Sequence, residues 1–354
     1  MRVLTLVDWS KLVVSDRHSP TLGDREVLLQ VLATGICGSD IHGFTGENGR
    51  RQPGQVMGHE TVGRVVAAGA AVRPDDGISV GDIATVNPVI GCKRCAQCLS
   101  GDEQACATKV IVGVTSTSLG AFAEFMSAPV SNVVALPSTM PVGYGALVEP
   151  LAVGYHAIRR GRVASGHAVL VIGGGPIGQA CVVAAQRLGA RTVVVTEPSP
   201  HRRAIITNIG AIAIDPDSSS IIAETVAMAI GQMPDIVIDA VGTNGSLTTA
   251  MSCAPLTSTV VLVGMGNPHL DISAFEVSTK ERSLVGSFCY SPAEFRETAA
   301  WVGTAPETLG NMIGGAVDLD GAPAAFTTLA GPDAPTGKVL VFPHGVEAGT
   351  ASVA

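Results

Sequence analysis

Four cysteines, Cys92, Cys95, Cys98 and Cys106, fall within fifteen residues in the run GCKRCAQCLSGDEQAC. This C-x2-C-x2-C-x7-C spacing lets four thiolates close a tetrahedral shell around Zn2+ without help from distant residues. A shell closed by protein leaves no position for a substrate, so the expected role is structural. An iron–sulfur cluster can also open on C-x2-C-x2-C. Here, however, the last gap is long, no proline follows it, and there is no second set. The N-terminal run MRVLTLVDWSKLVVSD shows no apolar stretch followed by a small-residue cleavage site, so no secretory leader is expected. In such a chain clustered thiols are expected to hold a metal rather than to pair as disulfides.

A second chemical signal is Gly173-Gly174-Gly175-Pro176-Ile177-Gly178, a G-x-G-x-x-G run that follows a strand-like stretch and opens a helix-like one. In that setting Gly173 suits the tight turn, Gly175 lets the backbone approach a pyrophosphate, and Gly178 lets helix and strand pack closely. The helix start, through Pro176 and Ile177, offers free amides and partial positive charge to phosphates. Glu197 follows Gly178 by 19 residues, at the end of the next strand-like run, where a carboxylate would accept the adenosine ribose hydroxyls. Its charge would repel a 2′-phosphate, which favours NAD over NADP. Arg202 and Arg203 lie close enough to pull the other way, or they stand solvated on the following helix. A glycine turn that only packs a βαβ unit is the plain alternative.

A third set is dispersed. Cys37 sits in GICGSDIH with Ser39, Asp40 and His42 beside it, His59 and Glu60 sit in MGHETVG, and Glu149 sits in LVEPLAVG. Alone, a cysteine usually packs as a small apolar residue and a histidine usually hydrogen-bonds in a core. Their company with the cysteine run and the glycine turn is what gives them weight. Ser39 and Asp40 could instead cap a helix starting near Ile41, and His42 could be an ordinary surface histidine.

The elements that must position these residues show two regimes. Up to about residue 147, short strand-like runs such as EVLLQVLATG, TVGRVVAAG and DIATVNPV alternate with Gly/Pro turns. The middle alternates strands with helices: AVLVI (168–172), a helix over 176–188, TVVVT (192–196), a helix over about 201–209, then IAID (212–215), DIVIDA (235–240) and TVVLVG (259–264). Continuous apolar strands separated by helices predict a parallel sheet covered on both faces. After about Gly286 the pattern loosens, ending in KVLVF (338–342) and a small-residue tail.

A length of 354 residues suggests two domains. The 42 glycines exceed the usual share of about 7%. With 46% apolar residues the chain is not disordered, so these glycines are expected in turns and close contacts. A net charge of -8 and the lack of a basic run argue against nucleic acid and against a polybasic membrane patch. The longest apolar stretch, 168–190, contains three consecutive glycines, Pro176, Gln179, Gln186 and Arg187. It reads as strand, turn and helix rather than as a membrane span. A soluble, cytoplasmic protein is expected.

GICGSDIH, GHE, the cysteine run, EPLAV and GGGPIG, in that order, resemble the zinc-dependent medium-chain dehydrogenases, the alcohol/sorbitol/butanediol/threonine dehydrogenase superfamily. The resemblance covers essentially the whole chain. It implies an α/β protein with a GroES-like, β-rich catalytic domain over 1–147, completed by 287–354. A Rossmann NAD-binding domain with a doubly wound parallel sheet would occupy 148–286. It implies a catalytic zinc held by Cys37, His59 and Glu149, with Glu60 as an adjacent or exchanging ligand, hence two Zn2+ per chain. Ser39 matches the family's relay hydroxyl, His42 its solvent-side histidine, and Asp40 the carboxylate that orients the ligating His59. Glutamate at 149 resembles the sorbitol/butanediol/threonine branch. A secondary alcohol, diol or small polyol and its ketone are the implied substrates, NAD the cofactor, and a homo-oligomer, dimer or tetramer, the implied assembly.

Two departures bear on the substrate. The stretch MIGGAVDLDGA (312–322) carries no arginine where sorbitol dehydrogenases have an arginine-bearing segment that contacts polyol hydroxyls, and the loop between Cys37 and His59 is shorter. Both favour a smaller or less hydroxylated alcohol. The run ERSLVGSFCYSPAEF (281–295) resembles butanediol/threonine relatives, and Phe288 and Tyr290 either border the pocket or pack a core. A zinc-free quinone or enone reductase, or a non-catalytic dinucleotide-binding protein on the same fold, are the alternatives. The full ligand set counts against both.

Overall fold

The run EVLLQVLATG forms strand β1 (Glu26–Gly35) in the computed structural model, which describes residues 1–47, 49–218, 222–331 and 334–346. Its alternation explains why. Val27, Leu29, Val31 and Ala33 are fully buried, while Glu26, Leu28, Gln30 and Leu32 are half-buried. Ile36 and Cys37 lead from β1 into helix α1 (Gly38–Thr45). The Cys37 amide donates to Asp40 Oδ2 at 3.3 Å, so Asp40 caps from within the first turn. The helix therefore begins at Gly38, ahead of the expected start near Ile41.

β1 pairs antiparallel with β2 (Glu60–Ala68), Gly35 opposite Glu60. Its other edge pairs with Lys338–Phe342, where Leu340 faces Gly35. Phe125–Pro129 pairs along the first half of β1, and the sheet continues from β2 through Ile83–Val86 and Val133–Leu136. The end of β1 thus collects residues near positions 36, 60 and 338. DIATVNPV divides, because Val89–Ile90 leaves the sheet to pair with Val110–Ile111.

The chain divides into two units, Met1–Glu149 with Ser291–Ala354, and Pro150–Tyr290. The seams follow Glu149 and Tyr290 rather than residues 147 and 286, which places Glu149 in the first unit. The expected tail 347–354 lies outside the described residues. The first seam falls inside the helix Val142–Arg160, which the sequence reading does not anticipate. Two features of that helix, an internal Pro150 and several glycines, weaken its pattern. Packing supplies what propensity lacks. A Cβ on Gly145 would lie 2.5 Å from Val62 Cγ2, and one on Gly154 would lie 2.5 Å from the Ala180 carbonyl carbon. No helix among the described residues is long and apolar enough to cross a membrane.

In the second unit the strands are β3 (Ala168–Ile172), β4 (Thr192–Thr196), β5 (Ile212–Ile214), β6 (Ile236–Asp239), β7 (Thr259–Leu262) and β8 (Ser283–Gly286). Helix α2 (Pro176–Arg187) follows β3. Among the described residues these strands form one parallel sheet in the order β5-β4-β3-β6-β7-β8. The chain runs outward from β3 to β5, then crosses back to β6 on the other side of β3. Open α/β sheets bind ligands at such a switch point, beyond the carboxyl ends of the strands.

Candidate active site

Cys37, at the start of α1, and His59 and Glu60, at the start of β2, bring a sulfur, a ring nitrogen and a carboxylate oxygen within 4.8 Å of one another. His59 and Glu60 are buried and Cys37 is half-buried. Asp40 stands behind His59, its Oδ1 3.5 Å from Nδ1, in ion-pair range although no hydrogen bond forms. Burial pushes the Asp40 carboxyl up, but His59 and then Arg51 outweigh it and bring it to about 2. Burial likewise lowers His59, and Asp40 and Cys37 together raise it well above the usual histidine range. A soft sulfur, an imidazole and a carboxylate facing one point suit Zn2+. Glu149 is also buried but is not part of this trio, which includes Glu60, the residue expected as an adjacent or exchanging ligand.

Lys338 stands beside this trio and is one of two site residues the sequence reading missed. Its ammonium is buried, 2.7 Å from Glu60 Oε1 and 3.1 Å from the Ile36 carbonyl. Burial disfavours its charge, yet Glu60, Cys37 and Glu149 raise it above the ordinary lysine value. One cation thus attracts both carboxylates, while Glu60 Oε2 stays buried without a partner. The second missed residue is Arg51, wholly buried, whose Nη2 donates to Asp40 Oδ1 at 2.8 Å and to Ser39 Oγ at 3.5 Å. A lysine within the fully buried strand KVLVF was a usable signal, because buried charges need partners. Arg51, in a loop beside Arg50, offered none.

Ser39 and His42 lie three residues apart on α1, one turn along the helix. His42 is half-exposed and its Nδ1 lies 3.0 Å from Glu47 Oε2. Elsewhere in the first unit, the sulfurs of Cys92, Cys95, Cys98 and Cys106 lie within 4.8 Å of one another, all as free thiols. The Cys92 amide points at Cys106 Sγ (3.4 Å) and the Cys95 amide at Cys92 Sγ (3.4 Å). Hydrogen bonding from the Cys92 amide and from Thr108 lowers Cys106 to about 6, whereas burial raises Cys98 to about 12. Four sulfurs with amides directed at them match a closed zinc shell in donor type and spacing.

At the switch point of the second unit, Gly173 turns with φ 94, a conformation side chains resist. A Cβ on Gly178 would lie 1.9 Å from the Gly173 carbonyl oxygen, so helix and turn touch there. A Cβ on Gly175 would meet nothing within 4 Å, which leaves open space at the start of α2, beside Pro176 and Ile177. That cradle suits a pyrophosphate. Glu197 is buried, accepting from the Gly174 amide at 2.8 Å and the Ser199 amide at 2.9 Å. Arg202 stays 4.0 Å from its carboxylate, and Arg203 is taken up by the carbonyls of Glu197 and Pro198 and by Asp215.

Known proteins place the chain. A family model described as "Alcohol dehydrogenase GroES-like domain" matches residues 23–138, and one described as "Zinc-binding dehydrogenase" matches 176–304. The chain is 33% identical over 296 residues to L-galactonate-5-dehydrogenase of Escherichia coli (strain K12), covering 83% of this chain and 85% of that one. It is 31% identical over 326 residues to D-xylulose reductase A of Aspergillus oryzae, covering 89% and 90%. A chain described as a zinc-binding dehydrogenase, from Sinorhizobium meliloti 1021 and bound to NADP, superposes with a TM-score of 0.86 at 31% identity, covering 97% and 99%. The protein is an oxidoreductase and belongs to the zinc-type medium-chain dehydrogenase/reductase family.

Proposed function

We propose that the protein is an NAD- and zinc-dependent dehydrogenase that interconverts a secondary hydroxyl of a polyol or sugar acid and the corresponding ketone. The observation that carries this reading is the Cys37, His59, Glu60 trio with Asp40 behind His59. The similarity to proteins named for L-galactonate and D-xylulose supports a hydroxylated substrate, against the smaller alcohol that the arginine-free stretch 312–322 suggests.

Bound zinc would supply a Lewis acid that makes a substrate hydroxyl acidic, and a bound dinucleotide would accept the hydride. The trio would hold the metal, with Glu149 drawn on as a further ligand, and Asp40 would fix the ring of His59. Ser39 would take the hydroxyl proton and His42, one turn further along α1, would release it to solvent. Glu197 keeps lone pairs free beyond its two amide bonds, so it can accept ribose hydroxyls, and its charge opposes a 2′-phosphate. Arg202 would line the same edge.

The test is a rate screen of the zinc-loaded protein over polyols, sugar acids, diols and simple secondary alcohols, with NAD and NADP in parallel and with metal analysis. The expected result is NADH formation with a hydroxylated substrate and two zincs per chain. No turnover anywhere on the panel, or a fully active protein without metal, refutes the reading. Glu197→Ala is expected to shift the NAD:NADP preference at least about tenfold toward NADP, close to a 1.4 kcal/mol change. A homodimer or tetramer remains the proposed assembly, and eight cysteines with no disulfide among the described residues suit a reducing cytoplasm.

A further inference from the structure

The glycine turn is only one side of the crevice at the switch point. β6 stands across from β3, and its last residue, Asp239, is wholly buried. Asp239 Oδ1 accepts from the amides of Val241 and Gly242, each at 2.9 Å, and Oδ2 accepts from Ser246 Oγ at 2.9 Å. Its backbone carbonyl accepts the amides of Val263 (3.0 Å) and Gly264 (2.9 Å), in the turn after β7. Two more bonds join those turns, Gly266 N to Val241 O at 2.9 Å and Asn267 N to Gly242 O at 2.8 Å.

The turns cross in near contact. A Cβ on Gly264 would lie 2.2 Å from the Val241 carbonyl carbon, and one on Gly242 would lie 2.3 Å from that of Gly264. Toward β3, Val241 Cγ2 reaches within 2.4 Å of where a Cβ on Gly173 would be. One carboxylate therefore fixes a turn that is bonded to the turn after β7 and pressed against the turn after β3. All three lie at the carboxyl ends of the strands that flank the switch point. Burial pushes the Asp239 carboxyl up, and the Gly242 and Val241 amides and the Ser246 hydroxyl oppose that.

We propose that Asp239 is a positioning residue of the dinucleotide site, holding the turn at Val241–Thr243 so that Val241 walls the crevice opposite the start of α2. This rests on the dinucleotide reading above. It predicts that dinucleotide affinity depends on a side chain that never touches the ligand. In Asp239→Asn the amide oxygen can keep both backbone bonds and its NH2 can donate to Ser246 Oγ, so the turn survives. In Asp239→Ala the side-chain bonds to the Val241 and Gly242 amides and to Ser246 are lost, and only the backbone bonds to the turn after β7 remain of those described.

The experiment titrates NADH and NADPH into wild type, Asp239→Ala, Asp239→Asn and Ser246→Ala by nucleotide fluorescence, with zinc content and amide hydrogen exchange of the unliganded proteins. The expected result is a Kd raised about tenfold or more in Asp239→Ala, about threefold in Ser246→Ala and less than threefold in Asp239→Asn. Exchange at Val241 and Gly242 should be faster only in the two weakened variants, with zinc content unchanged in all. An unchanged Kd in Asp239→Ala, or equal losses in the alanine and asparagine variants, overturns the proposal. If Asp239→Ala does not fold, Ser246→Ala decides, and wild-type affinity there overturns it. A wild type that binds neither nucleotide sinks the broader dinucleotide reading, whereas wild-type binding with an indifferent Asp239 sinks only this one.

Discussion

Replacing His59 with alanine is expected to lower the rate of dinucleotide-coupled alcohol oxidation about a thousandfold or more, while nucleotide binding persists. The loss follows from the position of the ring. His59 is one of three donors within 4.8 Å, and it is the donor with a charged carboxylate, Asp40, directly behind it. Removing the ring would take away one of the three proposed metal ligands and leave Asp40 buried against Arg51. A thousandfold loss is about 4 kcal/mol of transition-state stabilisation, within reach for a site whose metal is displaced. Two measurements bound the claim: kcat/KM with the best alcohol of the panel, and zinc per chain by elemental analysis. Zinc should fall from two to one. Retention of more than about a tenth of wild-type kcat/KM would remove the trio from the mechanism.

The second large effect is expected at the cysteine lobe. Cys98→Ser should remove the other zinc and lower the melting temperature by about 5–10 °C, with dinucleotide affinity retained. Structural zinc sites contribute on the order of 10 kcal/mol of apparent binding energy, which is folding energy where no site preforms. The lobe has little else to hold it. Its helix, Ala96–Leu99, is a single turn, and its largest polar anchor is Glu103, which accepts from the Gly91 amide and from Lys93. Gly91 also packs against the cysteine cluster, since a Cβ there would lie 2.7 Å from Cys98 Sγ. Differential scanning calorimetry with and without a chelator checks the prediction. A variant that keeps both zincs and the wild-type melting temperature would contradict it.

What could be read from the sequence divides along physical lines. AVLVI and TVVVT are buried on both faces of a parallel sheet, so their apolar runs match strands Ala168–Ile172 and Thr192–Thr196 residue for residue. Local chemistry was legible for the same reason, because the four cysteines and the glycine turn need no distant partner. Features that depend on distant contacts were not. The helix Val142–Arg160 is held by close packing at Gly145 and Gly154, and its sequence alone argues against a helix. The capping box Ser291–Glu294, which starts the helix Pro292–Val302, was a local signal that went unread. Arg51 and Lys338 became visible only once the fold placed them beside Asp40 and Glu60, the latter across 278 residues of chain.

The strand that carries Lys338 is made 278 residues after Glu60. At about 5–20 residues per second, some 15–55 s separate the emergence of Glu60 from that of its cation. Throughout that interval the growing chain has Cys37, His59 and Glu60 but lacks both the ammonium and the strand that flanks Gly35. The dinucleotide unit, Pro150–Tyr290, is by then complete. A metal held by Cys37, His59 and Glu60 is therefore expected to gain the full surroundings of its site only once residue 338 has been made. A chain that stops before residue 338 lacks the cation that pairs with Glu60.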